Sequence, residues 1–321
     1  MANTRRLFKS FYRLLLPVVV LFVISLTASS VWLVHRISVP PAAPYLVTPA
    51  RYGQLSSRGA QITEETWQNN DGTTARGWLL RGAMNAPAVI LLHSYGADRS
   101  YVLNLGVKLN EATDFTVLMP DLRGHGEAPP STYTSFGGCE ASDVQNAIAF
   151  LRGLRLDSRT PLVGQHIGLY GIEAGALAAI FAASEDASVT SVVLDSVPAN
   201  SNTVLSHALS RRYPFASGVT SEVAGLGTFP FFYDGCYRRE SSCTAAKALS
   251  NRHVLLLAGA DFPELRRSTT ELSSCFPDSS RLELKTDLNP SGYGIMNASL
   301  EQSEAYDQRV IGFFKSSLGG L

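Results

Sequence analysis

The sequence has no net charge and few charged residues. Its 321 residues hold 27 Lys and Arg against 27 Asp and Glu, and 17% of them are charged. This balance argues against a protein that binds nucleic acid through a clustered basic surplus. Only four cysteines are present, none in a Cys-x-x-Cys or Cys/His spacing, so the sequence predicts no metal site. It also lacks a glycine-rich phosphate-binding loop and internal repeats, and it indicates no cofactor.

The basic residues are concentrated at the start of the chain. Residues 1–40 hold five of them and no acidic residue, which leaves 22 basic and 27 acidic side chains in the rest. A basic segment ahead of a mildly acidic body favours a membrane, rather than nucleic acid, as the partner.

A long uncharged run follows the first basic residues. It spans 14–34, and at about 1.5 Å per helical residue its 21 residues match the hydrocarbon thickness of a bilayer. We predict a transmembrane anchor over residues 14–35, after a basic N-terminus, 1–13, and before a linker, 36–59. A cleaved signal peptide is the alternative, but Ala28-Ser29-Ser30 makes a poor cleavage site and the apolar run resumes after it.

The charges on either side of this run predict its orientation. Four basic residues precede it, whereas Arg36 alone follows it closely, so we expect a cytoplasmic N-terminus and an extracytoplasmic main domain in a single-pass protein. Such a compartment allows disulfide bonds. Cys236 and Cys243, in a loop-like segment, are candidates for one, and Cys139 and Cys275 are candidates for buried thiols. The sequence alone leaves the pairing open.

Short apolar runs alternate with helical patterns along the rest of the chain, as expected of buried parallel strands and the helices that cover them. The predicted strands are 61–67, 73–80, 88–92, 115–119, 167–170, 192–195, 254–258 and 282–285. The predicted helices are 102–110, 139–154, 174–183 and 302–317. This alternation predicts an α/β domain over residues 60–317, with a mostly parallel central sheet flanked by helices. Residues from about 198 to 250 break the rhythm, so we expect a cap inserted there.

Three short motifs lie where predicted strands end. His93-Ser94-Tyr95-Gly96 follows one strand, Asp121-Leu122-Arg123-Gly124-His125-Gly126 follows the next, and Gly171-Ile172-Glu173-Ala174-Gly175 joins a strand to a helix. In this order and context they resemble the His-Gly loop, the D-x-R-G-x-G turn and the nucleophile elbow G-x-S-x-G of the α/β-hydrolase superfamily, in its serine-hydrolase-like branch. The resemblance covers roughly residues 60–317 and implies the α/β-hydrolase fold.

The chain departs from this family at its catalytic triad. Glu173 stands where the family has its nucleophilic serine, and no other G-x-S-x-G occurs. Tyr293 stands where the family has its histidine, and Asp261 follows a strand where the family often has its acid. A carboxylate has no hydroxyl to activate, and a phenol is a poor base at neutral pH, so the resemblance implies a degenerate triad.

The anion pocket implied by the family falls on His93, Ser94, Tyr95 and Ala174. Tyr95 and Ala174 would supply backbone N–H donors, whereas Ser94 replaces the usual glycine. If backbone donors satisfy the carboxylate of Glu173, it would fill this pocket and close it to substrate.

We therefore predict a membrane-anchored protein of the α/β-hydrolase fold that lacks ordinary serine-hydrolase activity and binds a small or lipid-like molecule or acts as a scaffold. One alternative is an active hydrolase with non-standard residues, either esterase-, lipase- or peptidase-like or with the Glu173 carboxylate as nucleophile. Another groups Glu173, Asp261 and His93 as metal ligands. Among the histidines, His207 in the cap is the one candidate for an unusual base.

Overall fold

The computed structural model describes residues 2–41, 44–53, 61–129, 131–156, 159–233, 235 and 237–319, with side chains in the first helix from residue 13 onward. The chain divides into two compact units. The first unit consists of residues 1–37 and 205–235, and the second of residues 38–204 and 236–321.

The second unit is built on one eight-stranded sheet. Its strands are β1 (Ile62–Gln68), β2 (Thr74–Leu80), β3 (Ala86–Leu92), β4 (Thr116–Pro120), β5 (Val163–Ile172), β6 (Val189–Asp195), β7 (His253–Gly259) and β8 (Arg281–Leu288). The helices of the chain are α1 (Ala2–Ser38), α2 (Pro49–Gly53), α3 (Leu103–Thr113), α4 (Gly138–Gly153), α5 (Ala174–Glu185), α6 (Ser201–Arg212), α7 (Ser217–Phe231), α8 (Ser242–Ala246), α9 (Pro263–Ser273) and α10 (Leu300–Leu318).

The strand order is β1-β2-β4-β3-β5-β6-β7-β8. Strands β4 to β8 in this order run parallel, and β2 pairs antiparallel with both β1 and β4. The apolar run Ala88–Leu92 is fully buried in the middle of the sheet, as a strand covered on both faces requires. The predicted fold class, a mostly parallel sheet flanked by helices, is confirmed.

The order of the strands creates a crevice at one edge of the sheet. The chain moves outward from β3 to β4 and then returns to β5 on the other side of β3. Loops that leave β3 and β5 therefore separate at their carboxyl ends, which is where ligands bind in open α/β sheets. The motifs after β3, β4 and β5 all lie at this edge.

The segments predicted from the sequence match the observed elements to within a few residues, but two helices outside the predicted cap were not predicted. One is α2, which has only five residues. The other is α9, whose fully buried apolar side chains are only Leu265 and Leu272, too few for a recognisable periodic pattern. Within the stretch predicted as a cap, 198–250, the described residues form helices α6, α7 and α8 and no strand.

The disulfide candidate Cys236–Cys243 is wrong. Cys243 is bonded to Cys275, with their Cα atoms 5.3 Å apart. Cys139, expected as a buried thiol, is also disulfide-bonded, and Cys236 lies outside the described residues. The cause is tertiary: helices α8 and α9 pack against each other and bring residues together that are 32 positions apart in sequence.

One described helix is long and apolar enough to cross a membrane, judged by length and composition. It is the Arg13–Ser38 part of α1, with 26 residues and a mean hydropathy of 2.5 in its most apolar window, of which 6% is buried. The predicted span 14–35 lies inside α1, which as a whole covers Ala2–Ser38.

Part of the segment predicted as a linker is bound to the sheet of the second unit. The hydroxyl of Tyr45 donates to Asp121 Oδ2 at 2.7 Å. Arg99 is buried between the rings of Tyr45 and Trp78, at 4.9 Å and 4.5 Å from their centroids, and pairs with Asp121 at 3.2 Å. The boundaries 36–59 remain a prediction, but the chain near Tyr45 is held in place.

Candidate functional site

The turn between β5 and α5 has the sharp geometry of a nucleophile elbow. Glu173, the residue at its apex, has φ +49° and ψ −108°, a strained conformation for a residue with a side chain. Glycines make the turn possible: a Cβ on Gly171 would lie 2.3 Å from the carbonyl oxygen of Gly175, and a Cβ on Gly175 would lie 2.5 Å from that of His93. The elbow is therefore retained although its apex is not serine.

The carboxylate of Glu173 turns back onto the backbone donors beside it. Its Oε2 accepts hydrogen bonds from the backbone N–H of Tyr95 and of Ala174, both at 2.9 Å. The two donors come from the loop after β3 and from the first residue of α5, and Glu173 is 1% exposed. A pair of backbone N–H groups converging from these two places is the arrangement that stabilises an oxyanion in acyl-transfer enzymes. Here the chain's own carboxylate occupies it, at the positive end of a helix.

His93 fixes the loop that carries one of these donors. Its Nε2 accepts from the backbone N–H of Leu122 at 3.0 Å, so its Nδ1 carries the proton and donates to the carbonyl oxygen of Ser94 at 2.8 Å. Complete burial lowers the pKa of His93 to about 4. His93 is thus a neutral structural side chain, and Ser94 contributes its carbonyl oxygen as the acceptor.

His125 has the same role, which the sequence analysis missed. Its Nε2 accepts from the backbone N–H of Gly96 at 2.9 Å, and its Nδ1 donates to the carbonyl oxygen of Arg123. Burial, followed by the neighbouring His93, lowers the pKa of His125 to about 3. The sequence feature that could have indicated this role is the position of His125 in the D-x-R-G-x-G turn. Both ring nitrogens of His125 are therefore hydrogen-bonded to the backbone, and neither is placed to act as a base.

Asp261 and Tyr293, the other two triad-equivalent residues, have contacts in the loops that follow β7 and β8. Asp261 accepts from the backbone N–H of Ser291 at 3.2 Å and from the Ser291 hydroxyl at 2.9 Å. The ring of Tyr293 packs edge-on against Phe262, with 4.6 Å between centroids. The structure therefore brings Glu173, Tyr95 and Ala174 together, while the acid is used to hold the loop after β8.

A second carboxylate, which the sequence analysis did not identify, also binds the loop after β8. Asp195, at the end of β6, accepts from the backbone N–H of Gly292 at 2.9 Å, from the Tyr306 hydroxyl at 2.8 Å and from the Ser196 hydroxyl at 2.6 Å. Tyr170 donates in turn to Tyr306 at 2.9 Å. Burial raises the pKa of Asp195. This network fixes the residue next to Tyr293, and its position at a strand end was the only signal in the sequence.

The alternative of a metal site is wrong for the residues considered. Among the described residues, no group of three or more His, Cys, Asp or Glu side chains is placed to hold a metal ion. His93, one of the suggested ligands, has both ring nitrogens bound to the backbone. His207, the candidate for an unusual base, lies on α6 in the first unit.

Comparisons with known proteins agree with this architecture. The sequence model of a family described as alpha/beta hydrolase fold matches residues 87–230. A thiohydrolase of Eupenicillium brefeldianum is 29% identical over 122 residues, which are 37% of this chain and 38% of that protein. The match therefore spans well under half of that relative.

Solved structures resemble the chain over most of its length. An esterase of Pyrococcus furiosus superposes with a TM-score of 0.65 at 20% identity, covering 87% of this chain and 98% of the esterase. An acylaminoacyl peptidase of Pyrococcus horikoshii has a TM-score of 0.60 at 15% identity, covering 83% of this chain and 43% of the peptidase. A dienelactone hydrolase of Anabaena variabilis has a TM-score of 0.56 at 16% identity, over 81% of this chain and 99% of that one. The chain has the α/β-hydrolase fold.

Proposed function

We propose that this α/β-hydrolase-fold protein is a membrane-anchored, non-catalytic member of the fold, whose anion pocket is occupied by its own Glu173. The observation that carries the proposal is the pair of 2.9 Å hydrogen bonds from the N–H groups of Tyr95 and Ala174 to one carboxylate oxygen. Those donors are the groups that an ester substrate would need at its carbonyl oxygen.

The surrounding side chains support the same conclusion. Serine-type hydrolysis needs an alcohol and an imidazole that can take its proton. The elbow holds a carboxylate, and both nearby imidazoles, His93 and His125, donate and accept within the backbone of their loops. Asp261 accepts from the hydroxyl of Ser291, so this carboxylate holds the loop after β8.

The elbow geometry of Glu173 gives one alternative a basis. A carboxylate at this position could attack the carbon of an alkyl halide or an epoxide, with release of halide or opening of the ring, and form an ester, as an aspartate does in dehalogenases and epoxide hydrolases of this superfamily. Hydrolysis of that ester would still require water activated by a base. The fully bound states of His93 and His125 make this alternative the weaker one.

We also propose that α1 anchors the protein, with the N-terminus in the cytoplasm and the second unit outside. The apolar part of α1 supports the anchor, and the basic residues that precede it support the orientation. The disulfide bond Cys243–Cys275 supports an oxidising compartment for the second unit. For a protein anchored in lipid we propose a small or lipid-like molecule as the ligand class.

The test uses the full chain in detergent micelles, assayed with short-chain nitrophenyl esters and a serine-reactive fluorophosphonate. We expect no turnover and no labelling of the wild type. The double variant Glu173→Ser/Tyr293→His should hydrolyse the esters measurably, because it opens the anion pocket and supplies an alcohol and an imidazole. Glu173→Gln is the matched control, since it keeps the size of the side chain and an acceptor oxygen.

Clear labelling or turnover of the wild type would refute the proposal. Single-turnover accumulation of a mixed anhydride on Glu173, formed by attack on the nitrophenyl ester with release of nitrophenolate, would instead establish the carboxylate nucleophile. If the double variant is folded but hydrolyses no ester, occupation of the pocket by Glu173 is not the reason for the lack of activity. A binding or structural role would then no longer be supported by the filled pocket.

A further inference from the structure

Helix α7 and its flanking residues expose an apolar stripe in the first unit, interrupted by Glu222. We call this set the α7 stripe. Its members and their exposed fractions are Phe215 105%, Val219 72%, Leu226 62%, Phe229 76% and Tyr233 89%. Successive members are four, seven, three and four residues apart, which places them on one side of a helix. Monomeric soluble proteins rarely expose a large apolar surface, and such surfaces mark sites that contact another protein, a ligand or a membrane.

The opposite side of α7 packs on α1 within the same unit. Ala224 and Thr228 are buried, and Gly227 approaches Ser30 so closely that a Cβ on it would lie 2.4 Å from the Ser30 carbonyl group. Further along, the ring of Phe231 meets His35 edge-on at 6.2 Å between centroids. The contact with α1 therefore fixes which side of α7 faces outward.

The level of this contact along α1 places α7 at the boundary of a bilayer. The α1 side chains from residue 13 to 29 are exposed except for the half-buried Leu26, and Ser30 is the first buried one. A hydrocarbon core of about 30 Å requires about 20 helical residues, so a span that begins at Leu14 reaches about residue 33. Ser30 lies inside the last turn of that window. The C-terminal part of α7, which packs on Ser30, consequently has its outer face at the depth of the headgroups and the upper acyl chains.

The composition around the stripe fits this interfacial depth. Arg212 ends α6 immediately before the stripe and is exposed, where it can meet the phosphates of anionic lipids. Glu222 is exposed on the same side as the stripe, seven residues after Phe215, which suits a helix lying in the headgroup region and not in the hydrocarbon core. Tyr233 closes the stripe with a residue type enriched at membrane interfaces.

We propose that the α7 stripe is a second membrane-contact surface, which inserts its side chains into the headgroup and upper acyl region of an anionic bilayer beside α1. The inference rests on the proposed anchoring by α1, because the depth of α7 is set by its contact with that helix. It adds a function for the cap segment that the hydrolase fold does not require. A bilayer is favoured over a second copy of the chain because the contact of Gly227 with Ser30 sets α7 beside the end of the proposed span of α1.

The experiment measures quenching of tryptophan by lipids brominated on their acyl chains. The full chain is reconstituted into vesicles of phosphatidylcholine and phosphatidylglycerol, with and without the brominated lipid. Phe215→Trp and Leu226→Trp each add one reporter to the stripe, and the emission of the parent chain is subtracted. Leu300→Trp is the control, because Leu300 is equally apolar and 85% exposed but lies in the second unit. Comparison of the parent with Trp32→Phe reports on α1 itself.

We expect the reporters at 215 and 226, and Trp32, to lose more than about half of their emission in brominated lipid, whereas the reporter at 300 is unaffected. Quenching of Trp32 alone would leave the anchor intact and overturn the inference. Absence of quenching at all positions would overturn the anchoring as well. A reporter at 226 with blue-shifted but unquenched emission would show that protein covers the stripe, which also overturns the inference. Thermal melts of each variant establish that it is folded.

Discussion

Replacing Glu173 by alanine should destabilise the protein by a predictable amount. The side chain satisfies two backbone donors, the N–H groups of Tyr95 and Ala174, at 2.9 Å each. A buried donor left without a partner costs about 1–3 kcal/mol, so two cost about 2–6 kcal/mol. Removing a buried carboxylate recovers part of its desolvation cost. We therefore expect a net loss of about 2–3 kcal/mol, which at about 2–4 °C per kcal/mol lowers Tm by about 4–12 °C.

The same variant should respond to small carboxylic acids. Alanine leaves space for an acetate ion at the position of the lost carboxylate, with both donors still in place. Binding to the folded state alone stabilises it by about 1.4 kcal/mol when the acetate concentration is ten times its Kd. Glu173→Gln keeps an acceptor oxygen and fills the space, so it should be only slightly destabilised and should not respond.

Thermal melts of the full chain in micelles, followed by tryptophan fluorescence, measure both effects. Sodium chloride at equal ionic strength controls for a general salt effect. An alanine variant as stable as the wild type, or one that gains nothing from acetate, would refute the assignment of Glu173 to the anion pocket. Equal acetate responses of the alanine and glutamine variants would do the same.

Three further sets of substitutions test other parts of the structure. The pKa of His125 is about 3 in the folded state and about 6.5 in the unfolded state, so the stability that neutral His125 contributes is present above pH 6.5 and is lost as the pH falls toward 3. Around pH 5 the free energy of unfolding of the wild type should fall more steeply than that of His125→Asn, by about 1.4 kcal/mol per pH unit. Equal slopes for the two proteins in urea titrations would contradict this. Cys243→Ala or Cys275→Ala should lose about 3–4 kcal/mol for a bridge across 32 positions, and the double variant should lose no more; an additive double variant would exclude the bond. Tyr306→Phe removes a donor to the buried Asp195 and should cost about 1–3 kcal/mol in chemical denaturation, whereas an unchanged midpoint would remove the network from the account of the site.

The fold was accessible from the sequence because its signals are local. Apolar runs such as Ala88–Leu92 mark buried strands, and the glycines around position 173 specify the elbow through backbone sterics alone. The substitution of the triad positions was equally visible. The prediction that the Glu173 carboxylate would fill the anion pocket followed from the neighbourhood of the elbow and the loop after β3.

The features that were not predicted from the sequence depend on contacts between segments that are distant along the chain. Cys243 was paired with the wrong cysteine because proximity in sequence says nothing of how α8 and α9 pack. The structural roles of His125 and Asp195 depend on partners in other loops, Gly96 and Gly292, which no periodic pattern connects. The α7 stripe became visible only when α1 was seen to cover the other side of the helix.

The filled pocket has a consequence for any soluble competitor. A carboxylate on the same chain as its donors binds them without the loss of translational and rotational freedom that a dissolved acid incurs on binding. Saturating amounts of an acyl ligand would therefore not displace Glu173 from its two donors. The pocket stays filled until the side chain of Glu173 itself rotates away from both donors.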